Sequence, residues 1–206
     1  MPESADELYA RVTAAAGPDG RLAAPPIADW DIFPWDAVDG RVVPRVLRAP
    51  EPEELRKGAE GGDPCPACAG LPPESIVWED EHWLLATPTV EPSGLPLVLT
   101  LWTREHLDIG NFGDDEAAEL GRIANRLVRI MEAMPGIGRV HVNRWGDGCA
   151  HAHVWFFARP EGLPDIRGSF AVEWDAILPP VPDDIRRADL HAVATKLANW
   201  GGTARA

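Results

Sequence analysis

Long apolar runs are missing from this 206-residue sequence. No stretch reaches the roughly 18 consecutive apolar residues that a membrane-spanning helix needs. The N-terminus, Met1-Pro2-Glu3-Ser4-Ala5-Asp6-Glu7, is acidic and lacks the basic start and apolar centre of a secretory signal. Cysteine is scarce: there are three, two of them spaced as Cys65-x-x-Cys68, which argues against a disulfide framework. Basic residues are the third shortage. Nineteen Lys and Arg against 33 Asp and Glu leave a formal charge of −14, which opposes nonspecific association with nucleic-acid backbones or anionic membranes. The expectation is a cytoplasmic protein with neither nucleic acid nor membrane as partner. A small phosphorylated ligand stays compatible, because local dipoles can outweigh the average field.

What is present fits one sizeable core with an appended N-terminal segment. Hydrophobic residues at 45% and charged ones at 25% are ordinary for a globular chain, and 21 prolines with 19 glycines imply many turns. Leu8, Val12 and Ala15 share one face of a helix over residues 5–16, which Gly17-Pro18-Asp19-Gly20 ends. From Pro25 to Pro52 the chain is rich in proline and tryptophan. Ile27, Trp30, Ile32, Phe33 and Trp35 suit an arm packed over the main domain or over a partner subunit. Arg41 to Leu47 reads as an edge strand, and Glu51 to Gly62 as an exposed helix followed by a loop. A hairpin is expected from residues 75–78 and 82–87, and a central strand from Leu95 to Trp102, too apolar to have a wet face. The clearest helix runs from Asp114, capped by Asp114 or Asp115, to Met134, with Leu120, Ile123, Ala124, Leu127, Met131 and Met134 in one stripe. Strands are expected at 139–143 and 170–174 and a terminal helix at 183–200. The sum is an α+β antiparallel-sheet domain with one long helix and a C-terminal helix.

The chain is organised around Gly146-Asp147-Gly148-Cys149-Ala150-His151-Ala152-His153-Val154-Trp155-Phe156-Phe157. Its second half alternates at period two, a strand entered through a glycine-rich turn. His151, His153, Trp155 and Phe157 point one way, and Ala152, Val154 and Phe156 the other. Two neighbouring imidazoles are an unnatural core filling, since each buried ring needs partners for both nitrogens. Separately, Cys65-x-x-Cys68 is a good half-site for zinc, with plain buried cysteines and a redox pair as competing readings.

At these residues the chain resembles the histidine-triad (HIT) superfamily, in particular its branch similar to galactose-1-phosphate uridylyltransferase. The family motif, His-φ-His-φ-His after Gly-Gln-x-φ-x (φ apolar), is similar to Gly146–Trp155. Trp155 stands at the third histidine position, where the uridylyltransferase branch has Gln. The run from Gly94 through Arg104-Glu105-His106 resembles the strand that leads into a basic residue and a His in the same family. The likeness covers about residues 63–160, and the chain is divided accordingly: an N-terminal arm at 1–62, a HIT-like domain at 63–160 and a C-terminal extension with a helix at 161–206.

The resemblance implies a ligand set of Cys65, Cys68, His106 and His151 around a structural zinc, closed by four protein ligands. It implies that His153 attacks the α-phosphate of a nucleotide or nucleoside-diphosphate conjugate and forms a covalent nucleotidyl-imidazole. Asn143, Gly146, Gly148, His151 and Trp155 then lie where family members contact the substrate. Three departures stand out. Asp147 occupies a place where many members have Gln or Ser, Trp155 replaces a donor near the leaving group, and Thr87-Pro88 falls where many members carry a ribose-binding acid. The alternative is a catalytically silent HIT-like module that binds a nucleotide or a protein. Nine tryptophans, two of them in the arm, together with the family's habit of pairing, imply a homodimer. His82, His141 and His191 are read as surface or packing residues, and Cys149 as small and buried.

Overall fold

The computed structural model describes residues 2–25 and 33–206; Ile27, Trp30 and Ile32 of the arm lie outside the described residues. Six strands form one antiparallel sheet: β3 (Ile76–Glu79), β4 (Trp83–Ala86), β5 (Leu97–Thr103), β6 (Ile137–Asn143), β7 (His153–Pro160) and β8 (Thr203–Ala204), in the order β6-β7-β5-β4-β3-β8. The expected apolar strand is central, as β5. It pairs with β4 on one side and β7 on the other, with Thr100 opposite Trp155 and Trp102 opposite His153.

Period two divides the strands between two cores. Leu97, Leu99 and Leu101 of β5 join Val154, Phe156 and Ala158 of β7 under two helices, α2 (Asp114–Glu132) and α4 (Asp183–Ala198). Ile123, Leu127, Ile130 and Met131 of α2, and Leu190, Val193, Ala194 and Leu197 of α4, fill that side. Burying each of the larger side chains, Val, Leu, Ile, Phe or Met, contributes about 1.5–3 kcal/mol. On the opposite face Val98 and Phe157 meet Leu95, Ile166, Ala171 and Leu178. The motif strand therefore has one face committed to the helices and one that is only partly covered.

The long helix starts at Asp114 as expected, but its cap is not an aspartate. Gly113 is its N-cap and donates its amide to the Glu116 carboxylate at 2.8 Å, so Asp114 and Asp115 are first-turn residues whose charge favours the helix N-terminus. The N-terminal helix α1 (Ala5–Ala15) opens on a reciprocal cap: the Glu7 amide donates to Ser4 Oγ at 3.3 Å and the Ser4 amide to the Glu7 carboxylate at 2.8 Å.

Three expectations need correction. Residues 51–62 form no helix. Pro50 and Pro52 disfavour one, and Gly58 and Gly61 take the left-handed φ of +82° and +78° in a turn. Residues 170–174 are helical, within α3 (Phe170–Ile177). The alternation of Phe170, Val172 and Trp174 imitates a strand, but Ala171 and Leu178 are what the segment buries, at helical spacing. Arg41–Pro44 is a strand, β2, but it pairs only with β1 (Trp35–Val38), in a separate hairpin turned by Asp39-Gly40 at positive φ. Among the described residues, no helix is long and apolar enough to cross a membrane.

Candidate functional site

Cys65, Cys68, His106 and His151 converge from three separate parts of the chain: the turn after Gly62, the exit of β5 and the entry to β7. Their ligand atoms all lie within 4.8 Å of one another. Cys65 Sγ is 3.3 Å from His151 Nδ1, and Cys68 Sγ is 3.2 Å from His106 Nδ1 and 3.6 Å from His151 Nδ1. A tetrahedral ion bound to thiolate and imidazole at ordinary lengths would hold sulfur and nitrogen about 3.5 Å apart.

The outer contacts fit that geometry. His151 Nε2 donates to the Thr103 carbonyl at 2.8 Å, and His106 Nε2 to the Gly58 carbonyl at 3.1 Å. A carbonyl only accepts, so each Nε2 carries the proton and each Nδ1 keeps its lone pair toward the cluster. Burial also pushes His151 toward its neutral form. Gly58 is required there twice over. Its φ is left-handed, and a Cβ would come within 2.8 Å of the His106 ring and 2.9 Å of Cys65 Cβ. The strip carrying it is docked by Lys57, whose amide donates to the Gly148 carbonyl while its carbonyl accepts from the Ala150 amide. The four residues can therefore hold a metal ion. Cys149 is buried, with its Sγ 4.0 Å from that of Cys65.

Two residues further on, His153 is wired differently. Its Nδ1 donates to the carbonyl of His151 at 2.8 Å, which fixes the tautomer and leaves the Nε2 lone pair without a protein partner among the described residues, at the half-buried surface of the sheet. The ring stacks on Trp102, with centroids 4.7 Å apart and planes 23° from parallel. A nucleophile needs this combination: one nitrogen tied, the other exposed, and the ring held in place.

Trp155 shares that face but belongs to an aromatic group. It stacks on Phe157 at 5.6 Å and 9°, and Trp145 meets both rings edge-on, at 6.1 Å and 5.8 Å. Beside it a cavity of about 510 Å³ is lined by Pro88, Ser93, Val98, Trp155, Asp175 and Leu178. Asn143 lies opposite Trp155 on β6. Gly146 and Gly148 are in the turn before the motif. A Cβ on Gly148 would meet open space, whereas one on Gly146 would collide with the Arg144 guanidinium. Arg144 and Arg56 both pair with Asp108, at 2.8 Å and 2.6 Å, and Arg56 also donates to the Gly146 carbonyl at 3.2 Å. Burial works against ionising Asp108, and these hydrogen bonds outweigh it, holding the carboxyl below its usual range.

The structure thus gathers the four expected ligands into one cluster and places His153, Asn143 and Trp155 on a common face. Sequence reasoning missed Gly58, Thr103 and Trp102. The parity of β5 signals Trp102, but only once its register against β7 is known. His82 is exposed and paired with Glu119, and His191 donates to the Ala206 carbonyl.

No family model matches the chain, and no curated protein matches it. Solved structures do. The chain is similar to a zinc-bound histidine triad family protein from Mycobacterium smegmatis, at 17% identity over 66% of this chain and 94% of that one, TM-score 0.46. It is also similar to a histidine triad protein from Sinorhizobium meliloti, at 16% identity over 59% and 87%, TM-score 0.48. A uridylyltransferase is matched at 16% identity over 66% of this chain and 45% of that one, TM-score 0.44. These are distant likenesses.

Proposed function

We propose that this chain is a HIT-like nucleotide hydrolase or nucleotidyltransferase that works through a covalent nucleotidyl-histidine on His153. The observation that carries the proposal is the wiring of that ring, with Nδ1–H held by the His151 carbonyl and Nε2 left as a nucleophile. Nε2 attacks the α-phosphorus of a nucleotide or nucleoside-diphosphate conjugate, a nitrogen–phosphorus bond forms, and the leaving-group oxygen departs with its electron pair. Water or a second phosphate then takes the nucleotidyl group. Asn143 and the amides around Gly146 and Gly148 are the groups proposed to bind the phosphate, with His151 and Trp155 bordering it.

Cys65, Cys68, His106 and His151 are the proposed ligands of a zinc ion, whose donor set of two thiolates and two imidazoles suits it. With four protein ligands the ion would have no open position, so its contribution would be structural: Cys65, Cys68, His106 and His151 would hold it at the entry to β7, beside the carbonyl that orients His153. The protein is proposed to be a cytoplasmic homodimer, with nucleic acid and membrane excluded as partners. Val42, Val46, Leu47 and Leu55, all exposed along the hairpin and the strip that follows it, support the pairing of subunits through the arm.

One observation favours a second reading. Trp155 is locked between Phe157 and Trp145 and brings no acid to the leaving group, as in a silent module that binds a nucleotide or a protein. Incubating the zinc-loaded protein with uridine, adenosine and guanosine diphosphate conjugates, followed by intact-mass and peptide mass spectrometry, separates the two. An acid-labile nucleotidyl group on His153 is expected. Binding without any adduct across the panel selects the silent module.

A further inference from the structure

We propose that Trp102 is a positioning residue for His153 whose indole stabilises the positively charged, covalently substituted form of that ring, an inference that rests on His153 as the nucleophile. Trp102 and His153 are direct partners across β5 and β7, and the stack between them is close to parallel, at 4.7 Å and 23°. The same indole meets His151 edge-on at 5.9 Å and 78°, so one side chain touches both the ligand cluster and the reactive ring. Trp155 approaches His153 only at 6.4 Å and 74°. The parallel stack therefore belongs to Trp102 alone among the described residues.

The charge follows from the hydrogen bond. His153 enters the reaction neutral, with its proton on Nδ1. When the Nε2 lone pair forms the bond to phosphorus, the leaving-group oxygen carries off the electron pair of the broken P–O bond. The Nδ1 proton stays where it is, held at 2.8 Å by the His151 carbonyl. The substituted ring is consequently an imidazolium. It becomes neutral again only when an acceptor oxygen attacks phosphorus and the N–P electron pair returns to Nε2. Between those two events a cation lies against an indole face, the arrangement in which an aromatic quadrupole attracts positive charge. The neutral ring gains less from the same contact, so the stack favours the intermediate over the resting enzyme. It also shields one face of the ring from water.

Phosphoramidate tests this without a nucleotide, because it phosphorylates imidazole nitrogens directly. Wild-type, W102L and W102F proteins, with H153A as the blank, are labelled with phosphoramidate. The decay of phospho-His153 is then followed by peptide mass spectrometry, alongside metal content and melting midpoint. Decay is expected to be roughly tenfold faster in W102L and about threefold faster in W102F. Equal decay in wild type and W102L, with the metal retained, overturns the proposal. Should W102L lose its metal, W102F decides, and equal decay there overturns it as well. Absence of label on His153 in folded wild type overturns both the proposal and the nucleophile assignment. Faster decay in the variants, combined with no adduct from any nucleotide conjugate, removes the nucleotide chemistry and leaves the role of Trp102 standing.

Discussion

His151 and His153 are two residues apart at the entry to β7 and share a residue type, a face and an indole neighbour, yet the fold uses them in opposite ways. In His151 both nitrogens are committed, Nε2 to the Thr103 carbonyl and Nδ1 to the thiols of Cys65 and Cys68. In His153 only Nδ1 is committed. The ring of His151 is buried, whereas that of His153 is at a half-buried surface. A histidine is made structural or reactive by where its second nitrogen goes, and a difference of two residues along one strand is enough to change that.

The strongest way to break the comparison is to remove the structural side. Cys65→Ser is expected to lose the metal and much of the stability with it, since apparent binding free energies of structural zinc are on the order of 10 kcal/mol. Elemental analysis of wild type should find about one zinc per chain. Calorimetry should show a melting midpoint that collapses in the variant and in wild type treated with chelator. A metal-free wild type whose midpoint ignores chelator would show that the cluster is only a packing of thiols and imidazoles.

The reactive side is expected to separate cleanly from that. His153→Ala should keep its metal and lie within about 1 kcal/mol of wild-type stability, because the ring closes no buried network. Adduct formation should vanish, and any turnover should fall by at least about a thousandfold. A large loss of metal in His153→Ala would erase the distinction between the two histidines.

The parts of this architecture that were legible in the sequence are those written in local periodicity. The α2 stripe, the apolar β5 and the alternation from His153 to Phe157 each announce their element within a single window. The convergence of Cys65, Cys68, His106 and His151 is not of that kind. No spacing between those segments states it, and it entered only through a resemblance. Trp102 stayed hidden because cross-strand register between β5 and β7 depends on the whole fold between them. Gly58 stayed hidden because its constraint is the His106 ring and the Cys65 β-carbon closing on the place where a Cβ would sit. The strip 51–62 misled through its charge, which resembles an exposed helix, while its Gly58 serves the cluster.

Trp155→His sharpens the comparison by giving the reactive side a donor. Turnover is expected to rise, by up to about a hundredfold where the leaving group is poor. The indole's removal from the stack with Phe157 and Trp145 is expected to cost about 1–3 kcal/mol, because a smaller ring leaves part of that volume empty. Comparing substrates with good and poor leaving groups checks this. A gain confined to the poor ones identifies the missing acid, and an equal gain on both points to binding.

The smallest effect is expected far from both histidines and supplies the baseline for acid stability. Glu79 of β3 accepts from Arg205 Nε at 2.6 Å and pairs with Arg104, clasping the C-terminal residues to the sheet. The Arg205 hydrogen bond is the main reason the Glu79 carboxyl is held below its usual range, against the opposing effect of burial. Because the folded-state value lies below the unfolded one of about 4.3, the clasp contributes stability above that pH. The contribution is lost as pH falls through the folded-state value. Both arginines are well exposed, so solvent screening limits the contribution to about 1 kcal/mol or less. Glu79→Gln should therefore unfold at slightly lower urea than wild type at about pH 7, and the gap should close toward about pH 3. Any metal release in acid would affect both proteins alike and cancel in the difference, since among the described residues Glu79 shares no partner with the cluster. A gap that stays constant across this range would mean that Glu79 acts through packing and not through its charge.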